Sequence, residues 1–148
     1  MSTVAIFQLI EAGRLDLVAP IQKYLPDFPK KKKGTITTRH LLSHASGIGA
    51  YKNGKESENK IHYASLMDAL VVFQDRELQS APGTSFNYTS YGYVVLGMVI
   101  EEISSLSYEF YMKKNVFDPA EMTNTATESE DYMRNHMPPF YHKKVAEK

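Results

Sequence analysis

The segment Tyr88-Thr89-Ser90 places a phenol and two aliphatic hydroxyl groups directly before a long apolar run. Asn87, Thr89 and Ser90 are residue types that cap helix N-termini, so we predict a helix that runs from here to about Ser104. The positive end of a helix macrodipole and its free backbone N–H groups favour an anion, here the phenolate of Tyr88. A phenolate can accept the proton of a nucleophile, but without a lysine beside it we expect the Tyr88 phenol to keep its own proton.

A serine nucleophile needs a base, and a lysine three residues further along a helix can serve as one. The chain contains one Ser-x-x-Lys match, from Ser57 to Lys60. With 12 serines and 13 lysines among 148 residues, about one such match is expected by chance. The match lies in a charged stretch that we predict to be a loop, whereas a nucleophile should begin an apolar helix. We therefore do not assign Ser57 as a nucleophile, and we interpret the neighbouring Lys52-Asn53-Gly54 as a turn.

Two histidines, His40 and His44, lie four residues apart in a predicted helix that Thr37 or Thr38 caps. This spacing can place both imidazoles on one helix face, where they could bind zinc. However, Leu41 stands where a zinc protease of the His-Glu-x-x-His type has its glutamate. Because the sequence shows no evident third ligand, we predict a structural role for both histidines and no metal site.

Composition indicates an ordinary globular domain and excludes several classes of function. Hydrophobic residues make up 43% of the 148 residues, and 17 basic side chains balance 17 acidic ones. A nucleic-acid-binding protein usually has a basic excess, so we predict no nucleic-acid partner. The chain has no cysteine, which excludes disulfides and thiolate sites, and no motif indicates a cofactor. Its longest run without charged or strongly polar residues, 91–100, is shorter than the roughly 20 residues of a membrane span.

Helical periodicity predicts the elements that must position these residues. Apolar spacing and caps indicate helices over 4–12, 20–24, 37–43, 64–73, 89–104 and 108–115. The helix over 89–104 is apolar nearly all round, so we expect it to be the buried central helix. Residues 52–60 are polar and are predicted to form a loop. Strand signals are few, and the pattern alone predicts a mostly α domain with long loops.

Four segments, in order along the chain, resemble the serine β-lactamase and penicillin-binding family. They are EAGRLDL and PIQKYLP in residues 11–26, ITTRHLLSHASG in 36–47, PGTSFNYTSYGY and LG in 82–97, and the segment 108–125. Each segment is weak evidence alone, but four in order at plausible spacing indicate homology over roughly residues 3–126. The likeness is strongest to the class C-like branch and its mitochondrial members.

The resemblance implies acyl-enzyme chemistry on the serine of an upstream Ser-x-x-Lys tetrad. It also implies that Tyr88 is the tyrosine of a Tyr-x-Asn motif, a remnant general base, and that Ser90 takes the asparagine position. Counting back from Glu11, the tetrad would fall before Met1, and the family's Lys-Thr-Gly-type strand would follow the chain. We therefore expect a truncated helical subdomain of the α/β β-lactamase/transpeptidase-like fold. Its flanking five-stranded sheet would be largely missing, and the chain would be inactive alone.

The resemblance leaves several alternatives open. We expect a partial domain over 1–126 and a polar, flexible tail over 127–148. The chain could instead be a fragment or short gene model of an active serine hydrolase, peptidase-like or β-lactamase-like, with a peptide or acyl substrate. Tyr88 could be a half-buried aromatic with a satisfied hydroxyl, a residual catalytic group or a substrate contact. An apolar face without its sheet favours self-association. Location is not assigned; the resemblance implies mitochondrion or cytoplasm.

Overall fold

The computed structural model describes residues 1–57, 61 and 63–127, and this part of the chain is helical. It contains six α-helices: α1 Ser2–Glu11, α2 Thr38–Leu42, α3 Gly54–Ser57, α4 Leu66–Val71, α5 Ser90–Ser104 and α6 Tyr108–Met112. A 3₁₀ turn, Ile21–Lys23, precedes α2, and a π-helical turn, Lys113–Phe117, follows α6. The same residues form no strand and a single antiparallel bridge, between Pro20 and Thr37. The prediction of a mostly α fold is confirmed.

Helix α5 is the centre of the molecule, as its apolar sequence predicts. Val95, Leu96, Val99 and Ile100 are completely buried, and α1, α2, α4 and α6 all pack against this helix. Burying one such side chain contributes about 1.5–3 kcal/mol. The packing of these side chains therefore holds α5, and with it the N-terminal end of the helix, in place. Among the described residues no helix has the length and hydropathy to cross a bilayer.

Side-chain caps begin α2 and α5 at residues that the sequence indicates. Of the two candidates for α2, the structure selects Thr37, whose Oγ1 accepts the His40 N–H while His40 Nδ1 accepts the Thr37 N–H. Of the three candidates for α5, it selects Thr89, whose Oγ1 accepts the N–H of Tyr91. Each cap of this type contributes about 1 kcal/mol because it satisfies an N–H group that the helix leaves unpaired.

The predicted loop over residues 52–60 is partly wrong, because Gly54–Ser57 forms the short helix α3. Asn53 Oδ1 accepts the Glu56 N–H and begins this turn. No apolar periodicity marks so short a helix, since its stability comes from contacts of Glu56 with distant residues. Lys60, the lysine of the Ser-x-x-Lys match, lies outside the described residues. So does the predicted tail over 127–148, apart from residue 127.

Candidate active site

Two loops meet in front of the first turn of α5 and hold its N-terminus. Three backbone hydrogen bonds join them: Gln79 N–H to Gly47 O (2.7 Å), Gly83 N–H to Ala45 O (2.7 Å) and Asn87 N–H to His44 O (2.8 Å). Gly47 is required at the closest approach, because its φ is +76° and a Cβ there would lie 2.2 Å from the carbonyl oxygen of Ser80. The two loops therefore form one unit, and the segment that carries Tyr88 is part of it.

The side chains on either side of Tyr88 point into this unit. Thr89 Oγ1 donates to the carbonyl oxygen of Gly49 at 3.1 Å. Asn87 Nδ2 donates to Gln79 Oε1 at 2.9 Å and to the carbonyl oxygen of Ile48 at 3.3 Å. Thr89 is almost completely buried. Because successive side chains of extended backbone point to opposite sides, the residue between these two points outward.

Tyr88 accordingly lies at the surface, with 66% of the residue exposed. Its ring packs against the imidazole of His44, with 4.6 Å between the ring centroids. In the part of the chain that the structure describes, no hydrogen bond reaches the Tyr88 hydroxyl. The interpretation of Tyr88 as a half-buried aromatic with a satisfied hydroxyl is therefore wrong, since inward-facing neighbours turn it towards solvent.

Ser90 is the first residue of α5, and its side chain is exposed like that of Tyr88. Between the two lies the buried Thr89, whose backbone is extended. The structure thus presents a phenol and a hydroxyl to solvent on either side of a fixed helix cap. Such groups can exchange protons with a molecule bound in front of the helix.

The prediction that His40 and His44 share a helix face is wrong. Helix α2 ends at Leu42, and His44 follows it with a φ of +52°, outside the helix. His40 is engaged in the cap of α2 through Nδ1. His44 instead lies among three aromatic rings, those of Phe86, Tyr88 and Tyr93. Among the described residues no three His, Asp or Glu side chains come together as a metal site.

A second polar cluster lies next to the first turn of α5, around Tyr91. The Tyr91 hydroxyl donates to Glu56 Oε1 at 2.6 Å, and Arg76 Nη2 donates to the same oxygen. The Arg76 guanidinium also lies over the Tyr91 ring, 5.6 Å from its centroid. Tyr91 also stacks on Phe73, with 4.2 Å between the ring centroids. These contacts fasten α3 to the core.

Hydrogen bonds and burial in this second cluster shift two pKa values strongly. Hydrogen bonds from Arg76, and next from Tyr91, lower the pKa of Glu56 from 4.5 to about 2. Burial, and then the bond to Glu56, raise the pKa of Tyr91 above its ordinary range. Shifted pKa values are common at functional sites, but here each group has a partner and is committed to structure. No local pattern in the sequence predicts this cluster, since Glu56 and Arg76 are 20 residues apart.

Comparison with known proteins adds the family. The family model described as Beta-lactamase matches residues 1–143. The chain is 39% identical over 123 residues, 81% of its length, to PbpX of Bacillus subtilis, a candidate penicillin-binding protein. It is 27% identical over 202 aligned positions, 91% of its length, to the human mitochondrial serine β-lactamase-like protein LACTB. The chain spans 28% and 37% of these two relatives.

A solved structure agrees with the helical fold. The octameric penicillin-binding protein homologue from Pyrococcus abyssi superimposes with a TM-score of 0.78 at 29% sequence identity. The match covers 90% of this chain and 32% of the archaeal chain. The described helices therefore correspond to the helical part of a larger fold.

Proposed function

The chain belongs to the β-lactamase family, and we propose that it is the helical part of a serine acyl-transfer site. In this proposal Tyr88 exchanges the proton of the nucleophile or leaving group, and Ser90 takes the place of the asparagine in the Tyr-x-Asn motif. The observation that carries the proposal is the exposed side chain of Tyr88 directly in front of α5. Its hydroxyl has no hydrogen-bond partner among the described residues. A helix N-terminus at this position favours the negative charge that a proton acceptor needs.

We further propose that this chain alone does not hydrolyse an acyl substrate. Its sequence has one Ser-x-x-Lys match, at Ser57, and Ser57 is the last residue of α3, not the first residue of an apolar helix. The residue before it, Glu56, is bonded to Tyr91 and not to Tyr88. Removing the nucleophile from a serine hydrolase lowers turnover by about a million-fold, an effect that no proton acceptor can offset.

A covalent probe tests the lack of activity. The chain is incubated with a fluorescent penicillin and separately with a fluorophosphonate, and intact-mass spectrometry measures adduct formation. We expect no adduct with either probe. Stoichiometric labelling that disappears in Ser57→Ala, but persists in the control Ser85→Ala, would show that the chain has its own nucleophile.

The second candidate function is an active serine hydrolase that acts through an acyl-enzyme on a peptide or acyl substrate, with this chain as one part of it. The coverage favours this candidate, because the named relatives are about three times as long as the matched region. Here the chain supplies Tyr88 while other segments supply the nucleophile and the sheet.

A chimera tests the role of Tyr88 in a protein that also contains the nucleophile and the sheet. Residues 1–127 replace the matched region of the Bacillus subtilis relative, so that the relative supplies both flanking segments. We expect the chimera to react with the penicillin probe and Tyr88→Phe to slow acylation by about 10²–10⁴-fold. Tyr91→Phe is the matched control and should retain most of the rate. Equal rates for both variants would contradict the assignment of Tyr88.

Self-association belongs to the same proposal. Val4 and Phe7 of α1 are large apolar side chains that are both nearly half exposed. The octameric archaeal homologue supports assembly within the fold. We expect sedimentation to show concentration-dependent association of the chain, and Phe7→Ser to reduce it. A chain that stays monomeric at every concentration would contradict this part.

A further inference from the structure

His44 has a backbone conformation that side chains with a Cβ adopt rarely. Its φ is +52°, in the left-handed region, directly after the C-terminal residue of α2 and its cap. In this conformation its carbonyl oxygen accepts the N–H of Asn87 at 2.8 Å. This conformation costs about 1–2 kcal/mol, which the surrounding contacts, this hydrogen bond included, offset.

The His44 imidazole makes such a contact with the backbone next to Tyr88. Its Nδ1 accepts the N–H of Thr89 at 3.4 Å, so this nitrogen carries no proton. The proton of the neutral ring then resides on Nε2. His44 thus holds the residue before Tyr88 through its carbonyl oxygen and the residue after it through its ring.

The ring of His44 also lies between two tyrosine rings. The centroid distances are 4.6 Å to Tyr88 and 5.2 Å to Tyr93, with interplanar angles of 38° and 30°. The Tyr93 hydroxyl is 3.4 Å from Thr3 Oγ1 of α1. A series of contacts therefore connects α1 to the exposed phenol, and His44 is its central member.

We propose that His44 is the positioning residue for Tyr88. Its Nδ1 fixes the backbone on one side of Tyr88, and its ring packs against the phenol ring and fixes its direction. The inference rests on the proposed function, because positioning matters only if Tyr88 transfers a proton. It goes further by naming the group that keeps an exposed tyrosine in one orientation.

Two variants separate the roles of the hydrogen bond and of the ring. His44→Asn keeps an acceptor, since Asn Oδ1 and His Nδ1 are both bonded to Cγ, and asparagine tolerates a positive φ. It loses the ring. His44→Phe keeps a ring against Tyr88 but has no acceptor for the Thr89 N–H.

Nuclear magnetic resonance of the full chain reads both roles. In the unchanged protein at about pH 8 we expect the ¹⁵N shifts of His44 to report Nδ1 without a proton. In His44→Phe the Thr89 amide should exchange with solvent about tenfold faster, the effect of losing one hydrogen bond. In His44→Asn that amide should stay protected, while the Tyr88 ring protons move towards their values in unfolded chains.

The proposal is overturned if His44 carries its proton on Nδ1, or if Tyr88 ring shifts are the same in His44→Asn as in the unchanged chain. The tautomer measurement needs no variant and stands even if His44→Phe fails to fold. All three signals are independent of hydrolysis, so they can be present in a chain whose Tyr88 has no role in acyl transfer. In the chimera, a slower acylation for Tyr88→Phe with no change for His44→Asn and His44→Phe would leave the proposed function intact and refute positioning by His44.

Discussion

Two tyrosines three residues apart, at the start of one helix, have opposite surroundings. Tyr91 is 7% exposed and its hydroxyl is bonded to Glu56. Tyr88 is 66% exposed, and among the described residues its hydroxyl has no hydrogen-bond partner. The pKa of Tyr91 is strongly raised, yet its hydroxyl is committed to holding α3. A shifted pKa in a group whose hydrogen-bond partner is in place, as in Tyr91, therefore reflects a structural role, whereas the exposed hydroxyl of Tyr88 is accessible to a bound molecule.

The largest expected effect on stability comes from separating the two loops that hold the segment with Tyr88. In Gly47→Ala the new Cβ would lie 2.2 Å from the carbonyl oxygen of Ser80, in a backbone conformation with φ +76°. Overpacking and left-handed strain together should lower the free energy of unfolding by about 3 kcal/mol. Urea unfolding monitored by circular dichroism measures this loss.

Gly13→Ala is the matched control for that variant. Gly13 also has a positive φ, +68°, but no atom lies within 4 Å of its hypothetical Cβ. We expect a loss of about 1 kcal/mol from backbone strain alone. If the two variants were equally stable, the close approach of the two loops would not exist in solution.

A single change in the cluster around Tyr91 should lower the free energy of unfolding by less. Tyr91→Phe keeps the stacking on Phe73 and removes the hydroxyl that donates a hydrogen bond to Glu56. A hydrogen bond to a charged group contributes about 1.5–3 kcal/mol, and Arg76 still binds the carboxylate, so we expect a loss of about 1.5 kcal/mol. Urea unfolding of Tyr51→Phe, which changes a half-exposed neighbour of Tyr91, should show almost no loss. Equal stability of Tyr91→Phe and the unchanged chain would contradict the structural role of this hydroxyl.

The same cluster predicts an acid-dependent loss of stability. The pKa of Glu56 is about 2 in the folded chain, below its ordinary value of 4.5. A lowered carboxyl pKa stabilises the fold above pH 4.5, and this stabilisation is lost as pH falls from 4.5 towards about 2. Thermal unfolding between pH 6 and pH 2, in roughly half-unit steps, measures the slope.

Glu56→Gln should flatten that slope, because an amide has no proton to gain in this range. Glu102→Gln, at an exposed position of α5, is the control and should keep it. A slope that persists unchanged in Glu56→Gln would mean that other carboxylates cause the acid sensitivity.

The sequence was sufficient for the parts of the fold that depend on local interactions. Thr37 and Thr89 were among the predicted caps, and α5 was predicted as the central helix, because periodicity and caps are properties of neighbouring residues. The contact of Glu56 with Arg76 was not predictable in this way, since it depends on how two distant turns pack. The position of His44 was missed for a related reason. Its helical spacing from His40 was apparent in the sequence, but the end of α2 at Leu42 was not.

The resemblance to the family makes Tyr88 a candidate site residue, whereas its exposure depends on the inward-facing side chains of Asn87 and Thr89. The smallest expected effect on stability is therefore that of Tyr88→Phe. Its ring can keep the contact with His44, and the lost hydroxyl has no partner among the described residues, so the free energy of unfolding should change by less than about 0.5 kcal/mol. The same variant should nonetheless have the largest effect on acylation in the chimera. Urea unfolding and probe kinetics should be measured on both variants. We expect Tyr91→Phe to lose more stability and Tyr88→Phe to lose more of the acylation rate. If Tyr88→Phe lost as much stability as Tyr91→Phe, both hydroxyls would be structural. The contrast between an exposed Tyr88 and a buried Tyr91 would then be wrong.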